Sequence, residues 1–395
     1  MGRLLGLVLA GAGVVGALAG CTSTMISTSA SMAQTPALDR ARILATTARV
    51  ADWQLANLGD LSYMPRAYKS VADPRGWEQA TFWVALTELA DRSSDARYRD
   101  AILATGRQQG WRLGDRLHHA DDHLIGQAWL WASANGAGPE AAAPMRASLD
   151  RMLADPQTGS LEFIAPAQGG DPACTTRWCW CDAIFMAPTT LTALSKASGD
   201  PRYGDFAHRE FAAVTDYLYD PGEKLYYRDS RFKTRRDPNG AKLFWSRGNG
   251  WVMAGIARII DNLDPADPRR ARYVGLFREM AGRIVTLQRT DGYWAPSLLG
   301  DRETAPIETS GTGFFTYSLA WGVNRGLLDR AAYEPAIVRG WNALERAVEP
   351  DGRLGWVQQV SDRPDDVKRE DAQFYGVGAL ILAGTEVADM VGRPR

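Results

Sequence analysis

From residue 38 onward, apolar side chains return every three or four positions, the spacing of one face of an α-helix. Twelve stretches carry this period. They lie near 38–58, 76–91, 96–111, 120–135, 142–155, 182–198, 203–219, 247–263, 268–290, 309–328, 333–348 and 371–390. The two-residue alternation of a half-buried strand is sustained nowhere. Turn-forming clusters such as "SGDPR", "DPADPRR" and "EPDGR" separate many of the stretches. No long linker interrupts them, so residues 38–395 read as a single domain.

The twelve stretches alternate in character. The odd ones keep a charged face, as in "RRARYVGLFREMAGRIVTLQR". The even ones are apolar nearly all round and rich in Gly, Ala and aromatics, as in "WEQATFWVALTELA", "DAIFMAPTTLTAL" and "FYGVGALILAGTEV". A helix with a polar face belongs outside, and one without belongs inside. Six inner and six outer helices in alternation predict an all-α fold, an (α/α)6 barrel. An open α-solenoid is the alternative, but it would show equivalent motifs from repeat to repeat, and none is seen.

If the inner helices run parallel, their N-termini gather at one end. The unusual residues cluster at those starts: Trp77-Glu78, Asp121-Asp122-His123, Trp180-Cys181-Asp182, Arg247-Gly248-Asn249-Gly250-Trp251 and Glu308-Thr309-Ser310-Gly311. Any one could be a helix cap, since Asp, Ser and Thr are good N-caps. Five converging on one rim would build a pocket of carboxylates, an arginine and indole walls.

Composition narrows the partners. Of 395 residues, 45 are Lys or Arg and 46 are Asp or Glu, for a net charge of −1. That balance gives no footprint for nucleic acid or an anionic membrane surface. The leader "MGRLLGLVLAGAGVVGALAGC" has a basic residue, an apolar run and small residues before Cys21, the layout of an export signal ending in a lipobox. Residues 1–21 are therefore expected to be a lipoprotein signal with Cys21 as the lipidated residue. The Ser/Thr-rich stretch 22–37 reads as a tether. The mature chain is expected to be exported to the periplasmic face of a bacterial envelope, at the outer membrane, and to meet the membrane only through that lipid. The other cysteines, Cys174, Cys179 and Cys181, lie within "CTTRWCWC". Export permits a disulfide, and Cys174 pairs with either Cys179 or Cys181. With no second cysteine pair and no histidine nearby, zinc is disfavoured.

No glycine-rich phosphate loop follows a strand, and no HExxH motif occurs. The rim instead offers carboxylates beside stacking aromatics, a combination suited to glycoside chemistry.

Six motifs in order, "DDHLIGQAWL", "WCDAIFMAPTTLTALS", "LYYRDSRF", "FWSRGNGW", "ETSGTGFFTYSLAWG" and "YGVGALILAG", carry a resemblance. Together they resemble the unsaturated glucuronyl and rhamnogalacturonyl hydrolases of glycoside hydrolase families 88 and 105, over roughly residues 38–390. The resemblance implies an (α/α)6 barrel, no cofactor and no metal. It implies a substrate left by polysaccharide lyases, an oligosaccharide with a C4=C5 double bond in its terminal uronic acid. Such enzymes protonate C4 and add water at C5; the hemiketal then opens and frees the partner sugar.

By that resemblance the proton donor is Asp182. Burial among Trp178, Trp180 and Phe185, with a second carboxylate near, would raise its pKa against the helix terminus, which would lower it. The second carboxylate is Asp121 or Asp122, with Asp122 preferred. Arg247 is expected to hold the substrate carboxylate in a fork, Gly248 and Gly250 to let backbone approach the sugar, and Trp251, Trp180, Trp178 and Trp77 to supply faces for it. One position departs from relatives of the "LFYH" type. Arg228 stands where they have histidine, and is expected to bind a carboxylate or sulfate or to pair with Asp229. The released sugar is then rhamnose, sulfated or not, or another neutral sugar. Two rival readings are a sugar epimerase or isomerase using His118, His119 and His123, and a non-catalytic sugar-binding lipoprotein.

Overall fold

A computed structural model describes residues 38–64, 69–163, 174 and 176–393. The expected signal, lipobox cysteine Cys21 and tether fall outside the described residues. Helices α1 (Arg40–Ala56), α3 (Arg97–Gln108), α6 (Ala143–Ala154), α8 (Pro201–Leu218), α10 (Arg270–Leu287) and α12 (Arg330–Arg346) form the outer layer. The inner layer is α2 (Trp77–Arg92), the broken pair α4 (Ala120–His123) and α5 (Gly126–Ala132), α7 (Ala183–Ser198), α9 (Ser246–Asn262), α11 (Thr309–Asn324) and α13 (Phe374–Gly392).

The inner helices close a ring. α2 packs on α5, α5 and α4 on α7, α7 on α9, α9 on α11, α11 on α13, and α13 returns to α2. That last contact makes a barrel and rules out the open solenoid. The composition explains the closeness of the ring. A Cβ on Gly255 of α9 would stand 2.8 Å from the Ile184 carbonyl of α7, and one on Gly378 of α13 would stand 2.8 Å from the Thr81 carbonyl of α2. Only glycine lets these backbones meet. Along α11 every residue from Thr309 to Gly322 is buried, whereas α8 buries one stripe, including Tyr203, Phe206, Phe211, Val214 and Leu218. Three of the outer helices start on ordinary side-chain caps. Asp39, Asp200 and Asp329 accept from backbone N–H groups of α1, α8 and α12.

Two departures from the expected pattern matter. The stretch 120–135 is not one helix. Three-residue bonds, Leu124 N–H to Asp121 O and Gln127 N–H to Leu124 O, tighten it between α4 and α5. Asn135 and Gly136 leave helical geometry beyond, with φ of +114° at Gly136. The other departure is α13. It is long and apolar enough to cross a membrane, but 89% of its apolar window is buried inside the barrel. Among the described residues the only sheet is a hairpin of β1 (Tyr219–Asp220) and β2 (Leu225–Tyr226), which leads to Arg228.

The two ends of the ring differ. At the C-terminal ends of the inner helices, Glu88 pairs with Arg258 at 3.0 Å and Arg92 at 3.0 Å, and Asp261 with Arg325 at 3.0 Å, around a cavity of about 450 Å³. At the N-terminal ends, aromatic rings meet from five helices. Trp77 stacks on Tyr375 with centroids 5.0 Å apart, and Trp251 packs on Phe185 at 4.8 Å and Phe314 at 4.2 Å. The parallel run of the inner helices thus gathers the unusual helix starts as the periodicity predicts.

Candidate active site

Asp182 is the N-cap residue of α7, with helical dihedrals and no capping bond from its side chain. Its carboxyl is therefore not spent on the helix. Oδ2 lies 3.5 Å from Arg228 Nε and 3.6 Å from Cys181 Sγ. Burial raises its pKa above the ordinary carboxyl range, and the Arg228 charge only partly offsets this.

Asp121 and Asp122 part company in the structure. Asp122 is clamped: Arg116 donates its backbone N–H to Oδ2 at 2.7 Å and its Nε to Oδ1 at 3.0 Å. The Asp122 carbonyl also accepts from Gly114 N–H at 2.9 Å. Asp122 therefore pins the chain from Gly114 to Arg116 to the barrel. Asp121 has no such clamp. Its side chain is 17% exposed, and burial, with Glu78, Asp122 and Asp182 nearby, pushes its pKa up to about 7 against the pull of Arg116. The preference for Asp122 meets a side chain engaged by Arg116, and Asp121 is the carboxyl whose pKa is raised. Adjacent residues on a helix point about 100° apart, so one faces the cleft and the other the wall.

Arg247 is corrected too. It is fully buried. Nη1 donates to Gln358 O at 2.6 Å and Nη2 to Gln359 O at 3.0 Å, and the guanidinium sits between the rings of Trp245 at 4.4 Å and Tyr375 at 4.7 Å. Its fork grips the chain before α13, not an open space. The neighbouring residues do likewise. Asn249 accepts from Tyr226 N–H at 2.8 Å and donates to Tyr226 O at 3.0 Å, which fastens β2. A Cβ on Gly250 would stand 2.9 Å from Phe314, and one on Gly248 3.1 Å from Trp245. These glycines admit protein, not sugar.

The guanidinium paired with Asp182 is that of Arg228. Its side chain is 16% exposed, Nη1 donates to Asp229 at 2.8 Å, and Nε has no hydrogen-bond partner. The pairing with Asp229 expected from the sequence is present, and Nε faces Asp182. Of the four tryptophans, Trp251 and Trp178 are core residues, each 1% exposed; Trp178 donates to His118 O at 2.9 Å. Neither offers a free face. Trp180 is nearly covered, with His119 5.0 Å from its ring. Trp77 keeps an open part at the rim.

Glu78, expected at the rim as part of a helix start, lies near Asp121, and His119, expected only in the isomerase reading, lies beside it too. His119 Nδ1 accepts from Asp121 N–H at 3.3 Å, and burial plus the Arg116 charge lowers its pKa to about 3. The ring is thus neutral with its proton on Nε2, a fixed donor beside the acids. Cys174 pairs with Cys179, which settles the disulfide and leaves Cys181 as a buried thiol. Among the described residues no group of three or more His, Cys, Asp or Glu is placed to hold a metal ion.

The chain was compared with known proteins. The model for Glycosyl Hydrolase Family 88 matches residues 46–391. An "Unsaturated 3S-rhamnoglycuronyl hydrolase" from Alteromonas sp. (strain LOR) is 38% identical over 344 residues, covering 85% of this chain and 83% of that protein. One of the same description from Formosa agariphila is 37% identical over 322 residues, covering 80% and 84%. A solved structure described as a glycosyl hydrolase family 88 protein from Bacteroides vulgatus superposes with a TM-score of 0.76 at 25% identity, over 89% of this chain and 100% of that one. With the model running from α1 to α13 and these relatives spanning most of their own length, the chain belongs to Glycosyl Hydrolase Family 88.

Proposed function

We propose that this protein removes the Δ4,5-unsaturated uronic acid from the non-reducing end of lyase-generated oligosaccharides by hydrating its double bond, with rhamnose as the sugar released. The observation that carries this reading is a pair of carboxyls at one rim, Asp121 and Asp182, both held above the ordinary carboxyl range, with Arg228 Nε 3.5 Å from Asp182 Oδ2. Names of the relatives supply the rhamnoglycuronyl substrate class.

In this reading Asp182 gives its proton to C4. Water adds its oxygen to C5 and passes a proton back to a carboxylate. The C5 hemiketal then breaks its C5–O5 bond, O5 takes the proton, and the hemiacetal left at C1 collapses to free the partner sugar. Asp121 is the second carboxyl and holds the water. Arg228 takes the uronate carboxylate through the part of its side chain that stays exposed, a charge-assisted contact. Trp77 and Trp180 border the sugar, while Arg247, Trp251 and Trp178 hold the walls. We read the leader as a lipoprotein signal that leaves the enzyme anchored through Cys21 at the periplasmic face of the outer membrane.

The test follows alkene absorbance with unsaturated disaccharides in ¹⁸O water. Wild type should consume the alkene and place the label at C5. Asp182→Asn should lose at least ~10²–10⁴-fold in turnover, the usual worth of a positioned acid, while still binding substrate. Label on the anomeric carbon, or substantial activity in the variant, sinks the proposal.

A further inference from the structure

Cys181 precedes the proposed acid and is the unpaired cysteine of the "CTTRWCWC" segment. Its Sγ lies 3.6 Å from Asp182 Oδ2, the oxygen that also stands 3.5 Å from Arg228 Nε. The two donors are tied to each other, because Cys181 N–H donates to Arg228 O at 2.8 Å. Behind the sulfur lies Gly248, where a Cβ would come within 3.2 Å of Sγ, so the glycine leaves the space the thiol occupies. Burial and the Asp182 charge push the Cys181 thiol far up, so it stays protonated and serves only as a donor.

We infer that Cys181 is a positioning residue: its S–H, with Arg228, holds Asp182 Oδ2 against the wall and leaves Oδ1 as the oxygen that carries the proton to C4. The inference rests on Asp182 being the acid of the proposed function. The other charged groups around Asp182 are Arg228 and Asp229 from the turn after β2, Arg247 from α9, and Asp121 from α4. A substitution at Cys181 changes none of them.

An S–H donor favours the carboxylate weakly, so its loss should raise the Asp182 pKa by roughly half a unit. Asp182 would be titrated by its carboxyl infrared band in the ligand-free protein, with Asp182→Asn assigning the band. Cys181→Val and Cys181→Ala should both move the midpoint up, and Cys181→Ser, which keeps a donor, should move it by less than half as much. The alkaline limb of kcat should shift in parallel. Wild-type midpoints in both Val and Ala variants, or a Ser variant that moves as far as Val, would overturn the inference. If wild type consumes no unsaturated substrate, the proposed function fails, and the infrared titration still decides the role of Cys181.

Discussion

Arg228 Nε stands 3.5 Å from Asp182 Oδ2 and has no hydrogen-bond partner of its own. The guanidinium thus acts on Asp182 as a charge, while its side chain as a whole stays 16% exposed. The two effects are separable. Arg228→Gln should raise KM by about 10–100-fold, the worth of one or two charge-assisted hydrogen bonds. It should also move the alkaline limb of kcat upward, because a positive charge holds a carboxyl pKa down. Arg228→Lys should raise KM but leave the limb nearly in place. Steady-state kinetics across pH 5–9 read both.

Asp121 and Asp122 should behave oppositely when each is changed to Asn. Asp121→Asn should lose about 10²–10⁴-fold in kcat. Its pKa of about 7 in the fold lies above the ordinary carboxyl value. The stability this group contributes is therefore whole at low pH and is lost as pH rises through 7. Asp121→Asn removes that titration and should be more stable than wild type at pH 8, by an order of 1–3 kcal/mol, with little difference at pH 4. Asp122→Asn loosens the Arg116 clamp and should cost about 1–3 kcal/mol while keeping kcat within about tenfold. Urea denaturation at the two pH values, beside turnover, checks all of this.

Arg247 should prove a stability residue. Arg247→Met strands the Gln359 carbonyl in the interior and leaves Gln358 O with Tyr375 Oη as its donor, and should cost about 2–5 kcal/mol by urea titration. A variant of unchanged stability with a raised KM would return Arg247 to the substrate.

The lipid anchor has a direct test. In cells, Cys21→Ser should fail to incorporate labelled fatty acid and should leave the membrane fraction. Unchanged labelling of the variant would rule out Cys21 as the anchor.

How much of this could be read in advance follows from the range of each interaction. Helical periodicity is local, so the twelve stretches and their inner or outer character were legible in the chain, and with them the barrel and the rim of helix starts. The place of Asp182 at such a start was legible too. Which neighbour each polar group would meet was not. Asp121 and Asp122 are adjacent and chemically identical in the chain, and only the return of Arg116 across the helix start made one a clamp and the other an acid. Arg247 read as a ligand fork because its partners, Gln358 and Gln359, lie more than a hundred residues away. Cys174 chose Cys179 over Cys181 when the chain turned at Trp178, whose φ is +59°. A guanidinium, a carboxyl or a thiol takes its role from what burial and neighbours leave unpaired, and that is a property of the folded contact, not of the residue.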